Sequence, residues 1–96
     1  MKSFDPMATA LSAIQNASRA PVTADQVLVA LRTGTGEPSH VRALFGDVAL
    51  QTLIRLGIRY GISNDEIGRA YRIALRTTAA RNPELDAWCA ENLAQP

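Results

Sequence analysis

Asp65, Arg69, Arg72 and Arg76 are the side chains of this sequence whose type and spacing suggest a chemistry. They fall at i, i+4, i+7 and i+11, so on a helix they form one stripe, opposite Ile67, Tyr71, Ala74 and Thr78. A guanidinium is always charged and presents a planar fork of donors, which fits phosphate oxygens and, bidentately, the edge of guanine. Asn64, just ahead of the stripe, carries the amide that pairs with adenine in the same way. A blander reading stands beside this one. Asp65 and Arg69 make an i,i+4 ion pair, and the other arginines are a solvated face or bind an acidic tail.

Other chemistries find less support. The stretch TGTGEP (Thr33 to Pro38) is rich in glycine, and backbone amides at a helix start can hold a phosphate. Its spacing matches neither nucleotide-loop pattern, no strand leads into it, and Glu37 and Pro38 follow, so it reads as a plain turn. His40 is the only histidine and Cys89 the only cysteine, which leaves no ligand spacing for a metal and no intrachain disulfide. A Ser/His/Asp set could be picked only from scattered positions, and any chain contains one. No enzyme activity and no cofactor are expected.

Charge is segregated along the chain although the net value is only +1. Lys2 to Asp47 is balanced. Arg55 to Arg81 carries six arginines against Asp65 and Glu66, a local +4, and Glu84, Asp86 and Glu91 then make the tail −3. Such a basic segment attracts a polyanion, or is neutralised by the acidic tail folding over it. A chain of 96 residues, 47% hydrophobic and 20% charged, has the length and composition of one globular domain. MKSFDPMATALSAIQNAS is interrupted by polar residues and a proline, with no apolar run of leader or membrane-span length. A cytoplasmic protein is expected.

Stepping along the chain, helix punctuation recurs and no period-two strand pattern is found, which predicts an all-α bundle of five or six short helices. Asp5 with Pro6 opens a helix to about Ser18 that buries Met7, Leu11 and Ile14. Thr23 and Gln26 form a capping box for a helix to about Thr33, burying Val27, Leu28 and Leu31. Ser39 is placed to cap a short helix through Val41, Leu44 and Phe45 that Gly46 closes, and Asp47 to cap the next. That next segment, VALQTLIRLGIRY, is apolar around most of its circumference and is expected at the centre of the fold. Ser63 and Glu66 form a second capping box for a helix to about Ala80. Asn82 and Pro83 open the last helix, with Leu85, Trp88, Cys89 and Leu93.

The junction between the fourth and fifth of these helices has its own pattern. Leu56 and Gly57 supply an apolar and a small residue, and Tyr60 a last inward contact. Gly61 fits a left-handed turn, Ile62 plugs the corner, Ser63 caps, and Ile67 and Ala70 face back into the angle. Over about residues 52–75 this resembles the helix-turn-helix superfamily, with Gly57 where alanine is more usual and Ala70 where a larger residue is typical.

The resemblance implies a small DNA-binding protein, a transcriptional regulator acting as a homodimer. Asn64, Arg69 and Arg72 would reach base edges, Arg55, Arg59 and Arg76 would contact phosphates, and Gly68 would let the helix approach the DNA backbone. The alternative is an all-helical adaptor for a protein partner, without nucleic-acid binding, whose contact surface is Leu44, Phe45 and Val48 or the last helix around Trp88. The two differ in one observable. Arg69 and Arg72 are exposed in the first and covered by Glu84, Asp86 or Glu91 in the second.

Overall fold

Local capping chemistry sets most of the helix boundaries. The computed structural model describes residues 4–78 and 81–93, and over these the chain is all-α, with six helices and no strand. α1 (Pro6–Ala17) starts on Asp5, whose Oδ1 accepts from the Met7 and Ala8 amides. α2 (Ala24–Thr33) opens on the full Thr23/Gln26 capping box and closes on Gly34 in the left-handed conformation. α5 (Asn64–Thr77) opens on the Ser63/Glu66 box, and α6 (Pro83–Asn92) on Asn82, whose Oδ1 accepts from the Glu84 and Leu85 amides.

Three boundaries depart from the sequence reading. α3 (Pro38–Asp47) begins one residue before Ser39 and runs through Gly46, so Ser39 is not its cap. The Ser39 hydroxyl is instead within hydrogen-bond distance of the Ser18 hydroxyl (2.8 Å) and of Glu37 Oε1 (3.2 Å). Asp47 is the last residue of α3 and caps nothing. α4 (Leu50–Tyr60) starts after Ala49, and its Leu50 amide donates to Glu84 Oε1 of α6 at 3.3 Å. α5 ends at Thr77, with Thr78 as its C-cap, short of the expected Ala80, which lies outside the described residues.

The helix expected at the centre is not there. α4 is strongly amphipathic, burying Thr52, Leu53, Leu56 and Gly57 while Gln51, Arg55, Ile58 and Arg59 face outward, Ile58 79% exposed. α3 and α5 occupy the interior instead. α3 packs on α1, α2 and α5, and α5 packs on α2, α3, α4 and α6. Leu44, Phe45, Ile67 and Tyr71 of these two helices are fully buried, and the Phe45 and Tyr71 rings meet between them, tilted, at 5.9 Å. Leu44, Phe45, Val48 and Trp88, expected in the surface for a protein partner, are themselves buried in this core.

α2 and α5 approach closely because Gly34 has no side chain. A Cβ on it would run into the Ala70 carbonyl, and its φ of 73° is one that residues with a side chain seldom adopt. The radius of gyration is 12.3 Å, against about 12.5 Å for a compact chain of this length.

Candidate nucleic-acid interface

The turn between α4 and α5 is built from Gly57, Gly61, Ile62 and Ser63. Gly61 sits at φ 72° and ψ 30°, its amide bonded to the Gly57 carbonyl, and Ile62 is buried behind it. Gly57 lets the chain fold back tightly. A Cβ there would lie 2.6 Å from the Ile62 carbonyl and 2.9 Å from Ile67 Cδ1. Tyr60 does not supply the inward contact expected of it. It is 38% exposed, at the last position of α4.

Arg32 of α2 braces this corner from outside. Its Nη2 donates to the Tyr60 carbonyl at 3.4 Å and its Nη1 lies 3.9 Å from Glu66 Oε2, the carboxylate of the capping box. One guanidinium thus meets the last carbonyl of α4 and the first turn of α5. Sequence spacing offered no sign of it, since Arg32 stands 28 residues before Tyr60.

The stripe on α5 is open. Asn64, Asp65, Arg69, Arg72 and Arg76 are all exposed, on the side away from Ile67, Ala70, Tyr71 and Ala74. Arg69 and Asp65 form the i,i+4 pair at 3.9 Å with side chains 71% and 58% exposed, a contact too solvated to hold the guanidinium. The acidic tail does not cover the arginines. Glu84 caps α4, Asp86 bonds Tyr71 and Arg81, and among the described residues no carboxylate of α6 pairs with Arg69, Arg72 or Arg76.

α6 does limit the stripe on one side. Gly68 is buried under Leu93, whose side chain a Cβ would strike, so it cannot be the point of close approach to DNA that its position implied. Its missing side chain serves α5–α6 packing instead. Arg72 is the stripe residue near this border, close enough for its charge to act on the buried Cys89 thiol, which burial nonetheless pushes up.

Arg55 and Arg59 have a different setting. The Arg55 guanidinium lies over the Phe4 ring, 4.9 Å from its centroid, and Arg59 Nη1 is 3.8 Å from Asp5 Oδ1. The structure therefore gathers Asn64, Arg69, Arg72 and Arg76 on α5 and sets Arg55 and Arg59 against the start of α1.

The remaining chemistry-bearing residues have structural partners. His40 is buried with Nε2 3.3 Å from the Ala20 carbonyl, the geometry of a donated N–H. Among the described residues no group of histidine, cysteine and carboxylate side chains could hold a metal, and no helix is long and apolar enough to cross a membrane. No family model matches the chain, and neither a curated protein nor a solved structure does.

Proposed function

We propose that this chain is a small helix-turn-helix-like DNA-binding protein, a transcriptional regulator that offers the outer face of α5 to a duplex. The observation that carries the reading is the uncovered stripe of Arg69, Arg72 and Arg76 on a helix that follows a tight glycine turn. Arg69 and Asn64 read base edges, Arg72 sits beside them, and Arg76 contacts phosphate. The helix enters by its Asp65–Arg69–Arg76 edge, because Leu93 lies along the Gly68 side. Arg55 and Arg59 are left out of this surface, since they lie on α4 beside Phe4 and Asp5 rather than on the outer face of α5. One such helix makes few contacts, so the reading includes a homodimer on two half-sites.

Fluorescence anisotropy with a labelled random-sequence duplex tests it at two salt concentrations, with Arg69→Ala alongside. The expected result is binding that weakens steeply with salt and drops in the variant. Absence of binding at low salt, where even a non-specific basic helix associates, removes the reading.

A further inference from the structure

Ile58 is the most exposed large apolar side chain among the described residues, at 79%, and it lies in the last turn of α4. It is not isolated. With Phe4 (47% exposed), Pro6, Arg55 and Arg59 it lines a shallow groove of about 220 Å³ between α4 and the start of α1. Arg55 lies one turn before Ile58 and Arg59 directly after it, so the apolar centre is flanked by two guanidiniums.

Both guanidiniums can take a carboxylate. The Arg55 guanidinium lies over the Phe4 ring, 4.9 Å from its centroid, and no carboxylate among the described residues pairs with it. Asp5 stands 3.8 Å from Arg59, with the two side chains 57% and 56% exposed, and the same Oδ1 already accepts from two amides of α1. That pair is loose enough to be exchanged for a better acceptor.

We propose that this groove is a docking surface for an acidic segment of a partner protein, one that sets a single bulky apolar side chain against Ile58 and Phe4 and places carboxylates on Arg55 and Arg59. Charge and shape select this occupant. A second copy of the chain would bring four guanidiniums together with two carboxylates, each already capping a helix. A nucleic-acid backbone has no use for an exposed isoleucine at the centre, whereas an apolar centre with a polar rim is the anatomy of a protein interface. The inference stands apart from the DNA reading, which uses α5.

A phage-displayed library of random linear peptides, panned on the full chain, is the probe. Enriched peptides are expected to carry aspartate or glutamate around one large apolar residue. Synthesised, they should bind Ile58→Ser and the Arg55→Glu/Arg59→Glu variant at least about tenfold more weakly than the parent, and Arg69→Ala equally well. All substituted side chains are exposed, and matched thermal unfolding of the variants checks that each is folded. The proposal is overturned if no peptides are enriched, if those enriched lack acidic residues, or if they bind Ile58→Ser as tightly as the parent. Sedimentation giving a parent dimer that Ile58→Ser dissociates would assign the face to a second copy. Loss of duplex binding in Arg55→Glu/Arg59→Glu, with no peptide enriched, would assign it to nucleic acid.

Discussion

Two glycines at the same backbone conformation carry different costs of substitution, and the difference lies in what surrounds them. Gly61 and Gly34 sit at φ 72° and 73°, but a Cβ on Gly61 meets open space while one on Gly34 runs into the Ala70 carbonyl. Gly61→Ala is expected to lower unfolding free energy by about 1 kcal/mol, the left-handed penalty alone. Gly34→Ala adds overpacking against backbone that cannot rotate away, and should lose roughly 3 kcal/mol. Urea denaturation of the two variants measures both, and equal losses would contradict the close α2–α5 approach. Gly61 was legible from sequence because its partners are its neighbours, whereas Gly34 read as part of a plain turn because Ala70 is far along the chain.

At the scale of helices, α5 and α6 are fastened by a polar cluster around Tyr71. Its hydroxyl donates to Asp86 Oδ1 at 2.7 Å and accepts from the Asn82 amide at 2.9 Å, and Asp86 Oδ2 receives Arg81 Nη1 at 3.1 Å. The hydrogen bond from Tyr71, helped by Arg81, holds the Asp86 carboxyl below the usual aspartate range against the opposing effect of burial. A depressed value in the folded state means the contribution is present above the ordinary aspartate pKa of about 4 and is lost as pH falls through the folded value. Burial, chiefly, raises the Tyr71 phenol, so its own contribution is complete below the ordinary tyrosine value and is lost as pH rises through the higher folded one. Asp86→Asn should therefore flatten the acid limb of a stability profile measured by urea unfolding at stepped pH, and, because the Asp86 carboxylate also helps raise the Tyr71 phenol, shrink the alkaline limb without removing the part due to burial. The four helix starts that carry their own caps were readable from sequence, at Asp5, Thr23, Ser63 and Asn82. The start of α4 was not, because its amide partner is Glu84, 34 residues away, and the nearby Asp47 imitated a cap. The candidate site divided the same way. Spacing alone placed Arg69, Arg72 and Arg76 on one face with Asn64 just ahead of them, but the exposure of that face, the lid of Leu93 on Gly68 and the brace of Arg32 depend on packing between distant segments.

Over the whole molecule, a net charge of +1 conceals an arginine face on α5, while Glu84 and Asp86 of α6 are bonded elsewhere. If Arg69, Arg72 and Arg76 each displace one counterion from a duplex, log K should fall against log salt with a slope of about −2.7 per protomer, and Arg76→Ala should reduce it by about 1. A slope unchanged by that substitution would place the anion elsewhere on the surface. The bond from the Leu50 amide to Glu84 has a consequence for motion. The first amide of α4 has its acceptor in the first turn of α6, so an opening of α6 withdraws that acceptor. Native-state deuterium exchange should show the Leu50 amide exchanging together with those of α6, and Glu84→Gln or Glu84→Ala should speed Leu50 while leaving the interior of α3 protected. A fluctuation at the far end of the chain is thereby felt at the start of the helix that leads into the turn.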